Sequence, residues 1–565
     1  MSPSETTISE VAKSGDNENY TVHWCPNCKT PVIAKKGLGG VVRCPRCDSL
    51  VNYFSSDLRP VFPEERLLLG LLEDDPDKYN DKNIWANNSR YFLDGKSYPD
   101  AKITNLDKAN SDSIALRLHD AINEVDYSYF EDQISVFCEV NSERLNSIVA
   151  EAFDFINQVR STFADEDVVV SFSGGKDSTV TANLVVRAMS NPSVVHVFGD
   201  TTLEFPTTYS YVKRFRESHP RAIFRTARNN EQVFQEVAKQ IGPPARMMRW
   251  CCSMFKTGPI SRTFNGMYKN RRILTFYGIR KCESVQRSHY NRVEDDSSTL
   301  KIGKQKVASP IFEWKDIDVW LYLLSEGVDF NDAYRFGYDR VGCWCCPNNN
   351  HRAELLSSVY MPSQSKDWHD FLVDFAREIG KPDPENYIDE GGWKARQGGN
   401  GLAAAKSVKV NSEACATEDN ARVFKLLKPY SAELENLFVP FGKLAPELGR
   451  KLLHETVIVD VKTRMPILSI QPFDRDDYEY AVKVRMLDAQ RSDALWHKVE
   501  YQIRKFNACR RCLKCEALCK SGAISLAGDS YYVDPNKCTH CWECMTNKYL
   551  RAGCLMDKYL GTKDK

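Results

Sequence analysis

Apolar positions change their spacing along the chain. Over residues 140–160 (VNSERLNSIVAEAFDFINQVR) they recur every three or four residues, which predicts an amphipathic helix. Glu65–Glu73 is a shorter apolar helical stretch. From Asp167 the pattern becomes a mostly apolar run, DVVVSF, leading into Ser-Gly-Gly, as a strand buried on both faces does. A helix is expected over Lys176–Met189, and Val194–Phe198 (VVHVF) and Ile273–Tyr277 (ILTFY) read as two further buried strands. Strand–helix–strand alternation predicts an α/β fold built on a doubly wound parallel sheet.

Around this block the chain divides by composition. Residues 1–20 are polar and predict a disordered tail; 21–56 form a small unit around two cysteine pairs. Residues 57–133 carry no assignment, 134–395 form the α/β domain, and 396–420, rich in Gly, Ala and Ser, read as a linker. Residues 421–500 are unassigned, and 501–565 are a compact cysteine-rich unit. No fixed-period repeat is present. Lys plus Arg equals Asp plus Glu at 76 each, which argues against a globally basic nucleic-acid binder and leaves only local patches. The longest apolar runs, such as Leu67–Leu69, are too short for a bilayer, and the first twenty residues hold no apolar leader. The expectation is a cytoplasmic protein with no membrane partner.

Cysteine changes the picture. All but Cys138 and Cys415 of the 20 fall into three groups, which in a reducing compartment points to metal rather than disulfides. Cys25-x2-Cys28 and Cys44-x2-Cys47, fifteen residues apart, have zinc-ribbon spacing: two knuckles around one tetrahedral Zn2+, with Gly37–Gly40 as the turn. So short a segment has too little core to fold without its metal. Lys29, Lys35, Lys36, Arg43 and Arg46 leave a nucleic-acid contact open. In the α/β block, Cys251-Cys252 and Cys343-x2-Cys346 could be gathered by the fold; four thiolates suit a 4Fe-4S cluster better than a zinc ion, with buried structural thiols as the other alternative. Cys282 and Cys345 read as buried thiols first, with a persulfide carrier or a replacement ligand as the alternatives.

At the C-terminus, Cys509-x2-Cys512-x2-Cys515-x3-Cys519 is the bacterial ferredoxin run, followed by Cys538-x2-Cys541-x2-Cys544 and Cys554. The fourth cysteine of each run serves the other cluster in two-cluster ferredoxins. Cys509, Cys512, Cys515 and Cys554 are therefore assigned to one 4Fe-4S cluster, and Cys519, Cys538, Cys541 and Cys544 to a second. Lys520 replaces the usual proline, and nine residues separate Cys544 from Cys554 instead of three.

The octet Ser171–Ser178 (SFSGGKDS) carries the remaining chemistry. A buried strand enters Ser173-Gly174-Gly175, whose backbone N–H groups can approach phosphate oxygens at a helix N-terminus. Lys176 can neutralise phosphate charge, and Ser173 and Ser178 can donate hydrogen bonds. The loop differs from G-x-x-x-x-G-K-[ST] in having adjacent glycines.

SGGKDS resembles the pyrophosphate loop of the N-type ATP pyrophosphatases. Four further segments resemble, in order, motifs of the phosphoadenosine phosphosulfate (PAPS) reductase family: FGDTTLEFPTTYSYV (Phe198–Val212), RWCCSMFKTGPI (Arg249–Ile260), GIRKCESVQR (Gly278–Arg287) and SPIFEWKDIDVWLYL (Ser309–Leu323). The resemblance implies an adenine nucleotide α-hydrolase-like fold binding ATP or another adenine nucleotide. Asp177 and Asp200 would sit near Mg2+, and Lys256, Arg280 and Arg287 would contact phosphate, sulfate or carboxylate. The vicinal-cysteine arrangement is also similar to that of APS reductases and of the ATP pyrophosphatases of DNA phosphorothioation. Two features differ from the sulfonucleotide reductases: they usually lack Gly-Gly-Lys-Asp, and their C-terminal Glu-Cys-Gly-x-His segment has no counterpart here. Three functions follow as expectations. The first is ATP cleavage to AMP and pyrophosphate, activating a substrate for sulfur transfer or redox chemistry, with an electron-donor protein or a sulfur donor such as a cysteine desulfurase as partner. The second is a ferredoxin-coupled APS or PAPS reductase, and the third a tRNA or DNA thiolation component docking nucleic acid through the ribbon.

Overall fold

The computed structural model describes residues 20–35, 41–107, 110–268, 271–295, 305–399, 402, 410–475, 477–488, 492–528, 530–550 and 553–560. The expected tail over residues 1–19, the turn at Gly37–Gly40 and most of 400–409 lie outside them. No helix among the described residues is long and apolar enough to cross a membrane.

The ribbon is a three-stranded antiparallel sheet with Tyr20–Cys25 between Thr30–Lys35 and Asn52–Ser55. It packs on the end of the Ser128–Val140 helix, sharing a core of Cys25, Val32, Cys44, Val51 and Val140. Asn141 clamps it there, accepting from the Ile33 N–H (2.7 Å) and donating to the Pro31 carbonyl (3.0 Å). Residues 57–133 contain a second antiparallel sheet, Arg59–Pro60, Ile84–Asn87, Arg90–Leu93 and Lys96–Tyr98 in that order, beside a helix, Pro63–Leu71, that is buried along its whole length. The boundary expected at 134 is corrected: it falls inside the Ser128–Val140 helix, which packs on the ribbon and on the Asp316–Ser325 helix alike.

The central sheet runs in the order Ile223–Arg228, Val195–Asp200, Val168–Phe172, Ile273–Tyr277, Gln305–Ala308, Val293–Glu294; the first five strands are parallel and the last is an antiparallel edge. Alternate side chains of Val168–Phe172 enter different cores. Val168, Val170 and Phe172 pack with the helices Ser142–Arg160, Lys176–Met189 and Asp316–Ser325, whereas Val169 packs with Ile260, Phe264 and Tyr268. Both faces are thus covered, and the fold is the expected doubly wound α/β arrangement. Strand order reverses between Val168–Phe172 and Ile273–Tyr277, so the loop after Val168–Phe172 leaves at the switch point, where open α/β sheets bind ligands.

Residues 410–488 fold as a six-stranded antiparallel sheet in the order Ser412–Ala414, Ala421–Leu426, Tyr480–Met486, Pro466–Pro472, Thr456–Val459, Lys443–Ala445. This corrects the linker reading of 396–420, because Ser412–Ala414 pairs with Ala421–Leu426. A boundary at 500 is corrected too: the Ser492–Ala508 helix runs through it and carries the chain from the sheet to the cysteine-rich unit. One continuous core joins that sheet, that helix, the C-terminal cysteines and the Trp250–Phe255 segment of the α/β domain.

Candidate functional site

The phosphate loop is held from several sides. Gly174 takes φ +73°, a conformation that disfavours a side chain. Ser178 Oγ accepts from the Ser173 N–H (3.1 Å) and donates to the Gly175 carbonyl (2.8 Å), closing the turn into the Lys176–Met189 helix. Fully buried Asn331 donates to the Gly174 carbonyl (3.1 Å), and the Tyr334 hydroxyl accepts from the Lys176 N–H (3.0 Å). Gly278 passes so close that an added Cβ would lie 2.5 Å from the Asp177 carbonyl and 2.7 Å from the Ser178 nitrogen, which is why a glycine opens Gly278–Arg287.

Behind the loop sits a buried square of charge. Lys176 Nζ lies 3.1 Å from Asp316 Oδ1 and 3.7 Å from Asp177, while Arg280 donates to Asp177 (2.6 Å) and Asp316 (2.8 Å). Burial works against the charge on Lys176, but Asp177 and Asp316 outweigh it and hold the ammonium above its ordinary range. Burial opposes ionisation of Asp177 as well, and Arg280 with Lys176 overcomes it. Asp177 is therefore engaged by Arg280, and Asp200 accepts from Tyr209 Oη (2.9 Å) and the Thr202 N–H (2.8 Å) with Arg228 3.6 Å away. A cavity of about 520 Å³ opens beside Asp200, lined by Phe198, Tyr209, Val212, Arg216 and Thr226. Arg287 is ion-paired with Glu283, and burial, then Arg340, lowers its pKa.

The thiols of the α/β domain meet this site at the end of Val195–Asp200. Glu204 and Cys343 form a backbone bridge, the Trp344 N–H donates to the Leu203 carbonyl (2.9 Å), and Thr201 Oγ1 lies 3.3 Å from Cys343 Sγ. Cys251 and Cys252 are neighbours at the head of an irregular turn, Ser253–Thr257, in which π-type bonding interrupts the helix; such turns recur at functional sites. A hydrogen bond from Cys251, with Arg249 and Lys256 nearby, pulls the Cys252 thiol down. The charge of Arg249 is felt by Cys251, Cys252 and Cys346, and that of Lys256 by Cys252, Cys343 and Glu204. Arg249 and Lys256 thus each act on thiols of both segments, although no three of these sulfurs lie within 4.8 Å of one another. Cys345 is buried beside Cys343 and Cys346 with its thiol pushed up by burial; Cys282 lies elsewhere, 3.3 Å from Arg280 Nη1.

The other cysteines form three groups. Cys25, Cys28, Cys44 and Cys47 have their sulfurs all within 4.8 Å, with Cys25–Cys47 at 3.5 Å and Cys28–Cys44 at 3.8 Å. A tetrahedron with Zn–S of ~2.3 Å has S–S edges of about 3.8 Å, so this donor set fits one zinc ion. Cys509, Cys512, Cys515 and Cys554 share a buried pocket: burial first, then one another's charge, raises Cys509, Cys512 and Cys554, the last to about 12. Cys538 is raised by burial and then by Cys519 and Cys541, and Cys544 to about 12 by burial and then by Cys515, Cys519 and Cys538, with Lys505 opposing. Backbone N–H groups turn onto these sulfurs, Arg511 onto Cys509 (3.4 Å) and Ala523 onto Cys519 (3.2 Å). The eight thiols, all but Cys541 buried or half-buried, would by donor type suit two clusters. Buried Lys505 stands between the sets, its ammonium held up by Cys515, Cys544, Cys554 and Cys509 against the cost of burial.

Asp316, Asn331 and Tyr334 were missed from sequence. Asp316 stands two residues before Asp318, whose carboxylate is spent on buried Arg144 (2.9 Å). Spacing alone does not separate two such aspartates, and Asn331 and Tyr334 cap and end a 3-10 turn, Asp332–Tyr334, too short to show a period.

Residues 167–349 match the family model of the phosphoadenosine phosphosulfate reductase domain. A Methanocaldococcus jannaschii protein, itself uncharacterized, is 32% identical over 268 residues, covering 47% of this chain and 54% of that protein. A second uncharacterized protein of that organism is 26% identical, covering 50% and 65%. The aligned region thus spans between half and two thirds of these relatives' own length. An adenosine 5'-phosphosulfate reductase of Staphylococcus epidermidis is 24% identical over 228 residues, 40% of this chain and 87% of that enzyme. Among solved structures, a PAPS reductase from Candida auris is 18% identical with a TM-score of 0.28, covering 37% of this chain and 96% of that one.

Proposed function

We propose that this protein is an iron–sulfur enzyme that binds an adenine nucleotide at Ser173–Ser178 and performs sulfur transfer or sulfur redox chemistry beside Cys251, Cys252, Cys343 and Cys346. The observation that carries this reading is that the nucleotide loop and the thiol group lie at the C-terminal ends of the neighbouring parallel strands Val168–Phe172 and Val195–Asp200, the thiols tied to the second through the Glu204–Cys343 bridge. The cavity beside Asp200 is of a size to take a nucleoside.

In the first form the nucleotide is ATP, with Mg2+ near Asp177 and Asp200. A substrate oxygen attacks the α-phosphorus, the bond to the α,β-bridging oxygen breaks, and pyrophosphate leaves with its charge met by Lys176. A persulfide or thiol sulfur then displaces AMP. The adjacent glycines followed by Lys176-Asp177 support this form. In the second form the substrate is APS or PAPS: two electrons enter, the S–O bond to phosphate breaks, and sulfite and the nucleotide leave. The similarity to APS reductases supports it. The eight C-terminal thiols fit centres that, when bound, supply one electron each from an external donor protein. The packing of their unit on the α/β domain supports such a route: Leu513, next to Cys512, lies so close to Gly258 that a Cβ there would overlap it, and Arg262 pairs with Glu516 at 2.7 Å. Tyr559 lies within electrostatic reach of both groups: burial, then Cys512 and Cys252, push its hydroxyl up to about 12.

Pyrophosphate and AMP release from ATP selects the first form; sulfite release from APS or PAPS by dithionite-reduced protein selects the second. Lys176→Ala removes the cation from a buried pair and is expected to weaken nucleotide binding by roughly 100-fold or more in either form. Unchanged affinity in a variant of wild-type melting temperature contradicts the site.

A further inference from the structure

The N-terminal ribbon and the residues directly after it reach the phosphate loop through one helix. The Asp57 carboxylate accepts the backbone N–H groups of Asp316 (2.9 Å) and Ile317 (3.0 Å), capping the Asp316–Ser325 helix from outside its own segment. Lys315, the residue before that helix, donates to the carbonyls of Tyr20 and Ser56. The Tyr20 ring lies 3.9 Å from the guanidinium carbon of Arg144, and Arg144 forms a two-bond ion pair with Asp318 of the same helix. The first turn of this helix therefore hangs on the ribbon's first strand and on the turn after its last. That first turn carries Asp316, which holds both Lys176 and Arg280.

A second tie starts a few residues on. Fully buried Glu65 receives two bonds from Arg59 (2.6 and 2.8 Å), one from Arg352 (2.6 Å) and one from Tyr91 (2.6 Å). Arg59 also donates to the Asp339 carboxylate (2.9 Å), and the Asp339 carbonyl accepts from Lys176 Nζ (3.3 Å). Both ties end on the lysine ammonium, and both begin within residues 57–65.

We propose that the ribbon is an intramolecular clamp on the phosphate loop: metal held by Cys25, Cys28, Cys44 and Cys47 sets nucleotide affinity, with Asp57 as the positioning residue that transmits it. The proposal rests on the nucleotide reading above. Metal orders a ribbon that contributes only four buried residues, Cys25, Val32, Cys44 and Val51, to the small core it shares with Val140. The ordered ribbon presents the Tyr20 and Ser56 carbonyls and the Asp57 carboxylate to the helix start, and Asp316 then keeps Lys176 and Arg280 aimed into the loop. The ammonium has no other carboxylates within ion-pair distance than those of Asp177 and Asp316 among the described residues, so displacing Asp316 leaves it paired with the loop's own aspartate.

The test is nucleotide binding by the full-length protein, read by calorimetry with non-hydrolysable ATP and with APS. Asp57→Ala is expected to raise Kd about tenfold while the protein keeps its zinc, and zinc-stripped wild type to show a loss at least as large, restored on adding zinc alone. Asn27→Ala, on the exposed ribbon face where Asn27 bonds Ser49 (2.6 Å), is expected to bind as wild type. If the stripped protein precipitates, the Asp57→Ala result decides. A Kd within twofold of wild type for folded, zinc-loaded Asp57→Ala overturns the clamp. Failure of wild type itself to bind any adenine nucleotide overturns the nucleotide reading instead.

Discussion

The ribbon and the C-terminal cysteine unit share one local device at their cysteines. In both, a residue of or directly after a C-x2-C turn adopts left-handed backbone: Lys29 (φ 50°) and Asp48 (φ 55°) in the ribbon, Arg511 (50°), Leu513 (61°), His540 (54°) and Trp542 (63°) in the C-terminal unit. The turn lets a backbone N–H face the first sulfur, as Cys28 does Cys25 (3.4 Å) and Arg511 does Cys509 (3.4 Å), which favours the thiolate that metals need. What differs is the surroundings. Among the described residues the ribbon holds the one group of three or more metal-ligating side chains whose donor atoms all lie within 4.8 Å, and its core is small. The C-terminal thiols line a large core shared with an antiparallel sheet and a long helix. Turn chemistry makes sulfurs available; the distance between turns selects the centre, and the attached core decides how far folding depends on it.

The largest expected effect breaks this comparison at the metal. Structural zinc contributes on the order of 10 kcal/mol of apparent binding energy to such small units. Cys25→Ser is therefore expected to abolish amide protection over Tyr20–Lys35 in hydrogen exchange and to leave iron content unchanged. Cys512→Ser is expected to do the reverse: about four irons are lost, the zinc stays, and protection in the strands of 421–486 persists. Equal loss of structure in both variants contradicts the contrast.

A middle-sized effect tests whether the C-terminal unit is seated on the α/β domain. Gly258→Val drives a side chain into Leu513 and is expected to cost roughly 1–3 kcal/mol, by overpacking. It should also expose 509–560 to limited proteolysis while nucleotide affinity stays at the wild-type value. The smallest effect comes from Arg262→Met. It removes the partly exposed pairs to Glu516 and Glu231, each 2.7 Å, and should cost about 1 kcal/mol in melting measurements, less at high salt.

The α/β core was legible because its signals are local. Val168–Val170 and Ile273–Tyr277 are apolar without alternation, since both sheet faces are covered, and Lys176–Met189 was read to its exact residues from the glycines before it. The sheet of 410–488 was not legible. Thr456–Val459 is buried at every position and Tyr480–Met486 at five of seven, so neither strand shows a period of two. The site divides in the same way. Ser173–Ser178 is contiguous and was found, whereas Asp57, Asp316, Asn331, Tyr334 and Asp339 reach it from remote segments and leave no pattern in the chain. Asp57 opens the unassigned stretch 57–133, and its bonds to Asp316 and Ile317 reveal its place.

The most direct measurement of the central claim is metal and sulfide analysis of anaerobically purified protein, followed by electron paramagnetic resonance after dithionite reduction. The account expects about twelve irons, with as many sulfides, and one zinc per chain, with the resonance signals altered when an adenine nucleotide is added. Protein that holds only zinc, or whose iron signals are indifferent to every adenine nucleotide it binds, contradicts it.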